Sequence, residues 1–150
     1  MKPTILRKME SETMKALYTT TVQVAGGRNG HARSDDGQLD IGLAFPKALG
    51  GSGAGSNPEQ LFAAGFGACF TSSLAAAARS QGLDPGEVAV DATAGLVVDD
   101  QGAYHVRAEL VAALPGVDPA LRESVVAEAK RICAYSNATR GNVELIVRLA

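Results

Sequence analysis

The sequence has little net charge and no cluster of basic residues. Its 14 lysines and arginines are nearly balanced by 16 acidic residues, which gives a formal net charge of −2 at pH 7. The basic residues are scattered, so the chain lacks the positive face with which proteins attract nucleic acid or anionic lipid. We therefore expect no nucleic-acid partner.

Long apolar runs are also missing. The start, MKPTILRKMESETMKALY, does not contain the apolar stretch of about 7–15 residues that a signal peptide needs. No window approaches the roughly 20 apolar residues of a membrane span. We expect a cytoplasmic protein. The chain has two cysteines, and cysteines in the cytoplasm are normally reduced. A structural disulfide is then disfavoured, and a redox-active pair or two inert core thiols remain.

Several motifs of cofactor and metal chemistry are absent. There is no C-x-x-C, and His31 and His105 are isolated in strand-like segments, so no metal site is predicted. No G-x-S-x-G elbow of a serine hydrolase occurs. The glycine-rich stretch FPKALGGSGAGS (45–56) has neither the ending of a P-loop nor G-x-G-x-x-G spacing. We predict no bound cofactor.

The remaining composition is that of a globular protein, with 46% hydrophobic and 20% charged residues. Residues 1–16 are polar and predict a flexible leader, and 17–150 predict a single domain. LYTTTVQV (17–24) is rich in β-branched residues and predicts a strand. AGGRNG predicts a turn, and HARSDDGQLDIGLA predicts two short strands around Asp-Asp-Gly.

The clearest helix signal begins at Asn57. This residue can cap the helix, Pro58 suits the first position, and Gln60 stands where a capping-box partner belongs. The helix continues to Arg79, and Gly82 offers a stop. Because it is apolar or small nearly all round, we expect it to be buried. One small sheet could not cover that surface, so a second subunit, and hence a dimer, is predicted.

The second half of the chain predicts a hairpin, a helix and a strand. EVAVDATAGLVVDD and AYHVRAELVAAL flank a turn at DDQG, and the final strand is NVELIVRL. Between them a helix opens at Asp118-Pro119, with an apolar stripe of Leu121, Val125, Ala129 and Ile132. The predicted class is therefore α+β, with two main helices packed on antiparallel sheets.

The two cysteines lie one on each predicted helix, and two interpretations of them stay open. Cys69 is in the middle of the first helix, and Cys133 is on the apolar side of the second. Each can be a small core residue, because cysteine is among the most buried residue types. They can also be a working pair, since separation along the chain does not fix their distance in space.

Glu59 and Arg28 are the charged candidates for the same site. Glu59 either benefits from the helix dipole or, on a buried helix, needs a cationic partner. Arg28 is either a solvated turn residue or the positive charge that a low-pKa thiolate requires. On a straight helix Glu59 and Cys69 are roughly 15 Å apart. Either the helix bends or breaks near 65–67, or Glu59 serves the neighbouring subunit's cysteine; we favour a composite site at a dimer interface.

Three segments together carry a family resemblance. GGRNG, LGGSGAGSNPEQLFAAGFGACF and CAYSNATRGN resemble the organic hydroperoxide resistance proteins, the Ohr branch of the Ohr/OsmC family, from about Leu17 to the C-terminus. The resemblance implies an OsmC-like fold in an intertwined homodimer. It also implies a thiol-based peroxidase without metal or haem, which reduces organic hydroperoxides and is recycled by dihydrolipoamide or a lipoylated protein.

The resemblance assigns roles to four residues. Cys69 is the peroxidatic cysteine, Cys133 resolves it, and Arg28 and Glu59 are the family's arginine and glutamate. Phe62, Phe66 and Phe70 are either pocket-lining or plain core residues. Where the family often has proline after the second cysteine, Ala134 stands here, which predicts a more mobile loop. An OsmC-type peroxidase of broader range and a non-catalytic redox sensor are the alternatives.

Overall fold

The computed structural model describes residues 14–150, so most of the predicted leader lies outside the described residues. The described chain forms two compact units, one ending at Ser56 and the other being Asn57–Ala150. The predicted fold class is confirmed, because helices and two three-stranded sheets make an α+β arrangement.

The first unit contains an antiparallel sheet of three short strands. β1 is Val22–Ala25, β2 is His31–Ser34 and β3 is Asp40–Gly42, in the order β1-β2-β3. The strand predicted over 17–24 is therefore too long at its start. Its pairing with β2 begins at Val22 opposite Ser34, where β2 already ends in the Asp-Asp-Gly turn.

The turn between β1 and β2 presents Arg28. It is a short 3-10 helix, Gly27–Asn29, as the AGGRNG segment predicts. Gly26 and Gly27 have φ angles of 75° and 58°. Glycine adopts this left-handed region without steric penalty, whereas most other residues do not. The backbone of the turn thus requires the two glycines that precede Arg28.

The second unit begins with the long helix α1, Pro58–Ser80. The Asn57 side chain accepts a hydrogen bond of 2.9 Å from the Gln60 N–H, which confirms the predicted cap. Gly82, with φ of 72°, follows the end of the helix as predicted. The helix is continuous through Gly65–Gly67, so the break considered there does not occur.

In the single chain α1 is buried along one side, and the burial of its other side by a second subunit stays a prediction. The buried residues are Phe66, Gly67, Phe70, Ser73, Leu74, Ala77 and Ala78. Ala64, Ala68, Ser72 and Ala76 are exposed. By length and composition alone the helix could cross a membrane, with a mean hydropathy of 1.6. The prediction that no window approaches a membrane span is therefore wrong for α1. Its packing in the core of this unit accounts for that composition equally well.

A sheet of three strands packs against α1. β4, Ala89–Val98, and β5, Tyr104–Ala113, form the predicted antiparallel hairpin. β6, Glu144–Leu149, pairs with β5 in parallel, so this sheet is mixed and not wholly antiparallel as predicted. Parallel neighbours need a long crossover, and the helices between β5 and β6 provide it.

Two further helices complete this unit. A 3-10 turn at Pro119–Leu121, capped by Asp118, leads into α2, Arg122–Ile132. A short helix that the sequence did not predict, α3, follows at Ala134–Thr139. The predicted stripe on α2 is only half right: Val125 and Ala129 are fully buried, whereas Leu121 and Ile132 are 41% and 36% exposed. Val126 is buried in their place.

The core lies between α1, α2 and the mixed sheet. Phe66, Phe70 and Leu74 of α1 meet Leu110 of β5 and Val125 of α2 in one buried cluster. Burial of a large apolar side chain stabilises a fold by roughly 1.5–3 kcal/mol. This cluster fixes α1 and the end of α2 relative to each other.

The helix cap gives a first testable prediction. Replacing Asn57 by alanine is expected to lower the free energy of unfolding by about 0.5–2 kcal/mol, because the Gln60 N–H loses its acceptor. Urea unfolding followed by circular dichroism measures the loss. Gln60→Ala keeps the capped N–H and should change stability by less than about 0.5 kcal/mol. Equal losses in the two variants would contradict the capping role.

Candidate active site

The fold brings the two cysteines together. Cys69 projects from the middle of α1, and Cys133 is the residue at which α2 ends and α3 begins. Their Sγ atoms are 3.3 Å apart, and both thiols are free. A disulfide bond is about 2.0 Å long, so the sulfurs need to approach by little more than an ångström to bond. Of the two interpretations left open by the sequence, the geometry favours a pair.

The two sulfurs differ in access. Cys133 is 0% exposed within the core cluster, whereas Cys69 is half-buried at the edge of that cluster. A dissolved reactant can therefore reach Cys69 and not Cys133. Burial alone gives two chemically identical groups different access to solvent.

The pKa of Cys69 is raised above that of an ordinary thiol. Burial is the largest cause, and the neighbouring Cys133 adds to it. The backbone N–H groups of Tyr135 and Ala134 act in the opposite direction. A proline at position 134 would have no N–H, so Ala134 supplies a donor that a proline there would lack.

The pKa of Cys133 is lowered. Burial raises it, but the Ser136 hydroxyl, the Ser136 N–H, the Cys69 thiol and the Tyr135 N–H together outweigh burial. By geometry the Cys133 thiol donates a hydrogen bond to the Cys69 sulfur, whereas the pKa directions make Cys133 the acceptor of that hydrogen bond. A thiol proton can turn to either sulfur, but backbone amides are fixed. Cys133 is thus the more acidic thiol of the resting pair.

Aromatic rings line the α1 face next to the thiols. Phe62, Phe66 and Cys69 share one side of the helix through their spacing of three, four and seven residues. Tyr135 packs against Phe62 and Phe66, with ring centroids 6.3 and 5.6 Å away. A Cβ atom at Gly65 would lie 2.5 Å from the Tyr135 hydroxyl oxygen, so the glycine makes room for this ring.

The sequence motifs did not single out Tyr135 as a site residue. The signal available was Gly65, because a glycine inside a helix costs about 1 kcal/mol and indicates close packing. Of the three phenylalanines considered for the pocket, Phe66 and Phe70 are 0% exposed in the core cluster. Phe62 is half-buried and packs on the edge of that cluster.

The two charged candidates belong to different units. Arg28 is half-buried in the turn of the first unit, with its guanidinium carbon 5.8 Å from the centroid of the Phe45 ring. Glu59 is half-buried in the first turn of α1, in the second unit. Since α1 is unbroken, Glu59 and Cys69 remain roughly 15 Å apart along its axis. Their roles stay predictions.

The histidines pair with carboxylates on exposed strands. The Nε2 atom of His31 lies 2.7 Å from Oδ1 of Asp40, and the Nε2 atom of His105 lies 2.7 Å from Oδ2 of Asp99. Among residues 14–150 no group of three or more histidine, cysteine, aspartate or glutamate side chains could hold a metal ion. Neither histidine contributes to the thiol pair.

Comparison with known proteins identifies the family. A family model described as OsmC-like protein matches residues 51–148. An organic hydroperoxide resistance protein of Xanthomonas axonopodis is 45% identical over 138 residues, which cover 91% of this chain and 96% of the relative. The chain belongs to the Ohr/OsmC family, in its organic hydroperoxide resistance branch. A peroxide-detoxifying redox role follows from this membership.

Solved structures of the Ohr branch share the fold. An organic hydroperoxide resistance protein of Legionella pneumophila has a TM-score of 0.86 and 40% identity, covering 91% of this chain and 99% of its own. One of Vibrio cholerae, described with captopril bound in one of the active sites, has a TM-score of 0.87 and 36% identity, covering 92% and 95%. The predicted OsmC-like fold is therefore confirmed.

Proposed function

We propose that the protein is a cysteine-based peroxidase that reduces organic hydroperoxides to alcohols. The observation that carries the proposal is the 3.3 Å approach of two free thiols, of which only Cys69 is accessible. Access makes Cys69 the sulfur that meets the peroxide. The buried Cys133 is then the sulfur that meets the oxidised product.

The proposed cycle has three steps. The Cys69 thiolate attacks the distal peroxide oxygen: an S–O bond forms, the O–O bond breaks, and the alkoxide leaves and takes up a proton. Cys133 then attacks the Cys69 sulfenic acid, so that an S–S bond forms, the S–O bond breaks and water leaves. An external dithiol exchanges with the disulfide, becomes a disulfide itself and restores both thiols.

Ionisation of Cys69 needs help, because its surroundings raise the pKa of its thiol. Cys133 does not supply that help, because the thiolate of the more acidic thiol is the weaker base of the pair. Arg28, oriented by Glu59 within a homodimer, supplies positive charge that favours the thiolate and stabilises the developing alkoxide.

Apolar substrates fit the surroundings of Cys69. Phe62 is the half-buried ring on the same face of α1, and a buried alkyl chain gains about 0.8 kcal/mol per methylene. The Vibrio relative holds captopril, a small organic thiol, in one of its active sites. This supports a site open to small organic molecules. As the reductant we propose a lipoyl-type dithiol.

Two alternatives use the same disulfide. An OsmC-type peroxidase would have a broader substrate range, and a redox sensor would form the disulfide without turning over. The organic hydroperoxide resistance relatives favour the first proposal over the OsmC-type peroxidase.

Turnover distinguishes these functions. Purified protein is mixed with cumene hydroperoxide and dihydrolipoamide, and peroxide loss is followed over many equivalents. An enzyme is expected to consume peroxide until it is exhausted, and to prefer cumene hydroperoxide to hydrogen peroxide. Consumption that stops after one equivalent would identify a sensor and overturn the proposal. Equal rates with both peroxides would favour the broader OsmC-type activity.

A further inference from the structure

Ser136 has an unusual environment for a serine. It is 4% exposed, and its Oγ atom is fully buried without a hydrogen-bond partner among residues 14–150. Buried hydroxyls are nearly always paired, and leaving one unpaired is unfavourable. The groups around Ser136 are therefore candidates for a partner of its hydroxyl.

The nearest chemistry is the Cys133 thiol. Cys133 occupies the residue before α3, and Ser136 is the third residue of that helix. In this spacing the side chain of the third residue is able to reach back to the residue before the helix. The Asn137 N–H donates to the Cys133 carbonyl, and the Arg140 N–H to the Ser136 carbonyl, so the turn that carries both side chains is fixed.

We propose that Ser136 is a positioning residue for Cys133. Its buried hydroxyl donates a hydrogen bond to the Cys133 sulfur when that sulfur becomes a thiolate. The proposal rests on the peroxidase function inferred above. A neutral thiol is a weak acceptor, which leaves the hydroxyl unpaired in the resting pair. A thiolate is a strong acceptor, and the hydrogen bond then forms.

The direction of the Cys133 pKa agrees with this geometry. Of the groups that lower the pKa of Cys133, the Ser136 hydroxyl has the largest effect. Its Oγ atom nevertheless forms no hydrogen bond of ordinary geometry in the resting structure. Both observations hold if the hydroxyl lies beside the sulfur and its bond forms only on ionisation. Hydrogen bonds to charged groups are roughly twice as strong as neutral ones.

Two steps of the cycle would gain from this bond. In the second step Cys133 attacks the Cys69 sulfenic acid as a thiolate, so a larger thiolate fraction speeds formation of the disulfide. In the third step the dithiol attacks the accessible Cys69 sulfur: the new S–S bond forms there, and Cys133 leaves as a thiolate. Leaving-group departure is faster when that thiolate is stabilised.

The ionisation of Cys133 can be measured without peroxide. In a Cys69→Ser background Cys133 is the only thiol, and its thiolate absorbance at 240 nm gives its titration; a variant lacking both cysteines corrects for tyrosine. Ser136→Ala is expected to move the titration to higher pH, and Ser136→Thr, which keeps the hydroxyl, to restore it. Thr139→Val removes another buried hydroxyl of α3, one that donates to the Tyr135 carbonyl, and should leave the titration unchanged.

A second readout uses both cysteines. After one equivalent of cumene hydroperoxide, disulfide formation in Ser136→Ala should be about tenfold slower at neutral pH, while the first oxidation of Cys69 keeps its rate. Because the hydroxyl is unpaired at rest, Ser136→Ala should not lower the free energy of unfolding. An unchanged Cys133 titration, or an equal shift in Thr139→Val, would overturn the proposal. Failure of turnover with the titration still shifted would instead refute the peroxidase function.

Discussion

Replacing Cys69 by serine is expected to abolish peroxide turnover, with a loss of a thousandfold or more, on the order seen when catalytic nucleophiles are removed. A serine hydroxyl does not ionise near neutral pH, whereas the thiolate is the nucleophile of the proposed first step. Consumption of cumene hydroperoxide with dihydrolipoamide measures the loss. The substitution affects a half-buried side chain, so the protein should stay folded.

Cys133→Ser is the matched control, because it removes the other sulfur of the same pair. This variant is expected to consume one equivalent of peroxide and to accumulate a Cys69 sulfenic acid that dimedone traps. Recycling through an intramolecular disulfide is then blocked. Full turnover of Cys133→Ser with the lipoyl dithiol would show that Cys133 does not resolve Cys69, and full turnover of Cys69→Ser would remove Cys69 from the chemistry.

Replacing Phe70 by alanine is expected to lower the free energy of unfolding by about 3–5 kcal/mol. The ring is 0% exposed in the cluster formed by α1, α2 and β5, and its loss leaves a cavity that the surrounding side chains fill only in part. Urea unfolding measures the change. A loss of this size is a large share of the stability of an ordinary domain.

Phe62→Ala separates the core from the candidate pocket. Phe62 is half-buried on the same helix, so its truncation should cost less than half as much stability as that of Phe70. The same change should raise the KM for cumene hydroperoxide more than that for hydrogen peroxide. Equal stability losses in the two variants, with no change in KM, would place both rings in the core alone.

Local signals predicted the helices and strands that begin or end at capping or turn-forming residues. Asn57, Pro58 and Gly82 gave the bounds of α1 because capping and left-handed turns depend on a few adjacent residues. The hairpin of β4 and β5 was predicted for the same reason, since alternation and a tight turn are local patterns. The start of β1 was missed because a strand extends only as far as its partner, β2, can pair with it.

Other parts of the fold depended on contacts that the sequence does not show. The direction of β6 beside β5 is set by the crossover through α2 and α3. α3 has only six residues, too few for a periodic pattern to reveal it. Leu121 and Ile132 continue the apolar spacing of α2, but they lie at its two ends, where the core no longer covers them.

The sequence by itself determined the family and the residue types of the site, because long motifs around Cys69 and Cys133 can be recognised without coordinates. Only the tertiary structure decided that the two sulfurs are 3.3 Å apart, that Cys69 is accessible and Cys133 is buried, and that Tyr135 packs against Phe66 of α1. Distance and access arise where α1 meets the junction of α2 and α3. That packing is a property of the folded core and not of either segment alone.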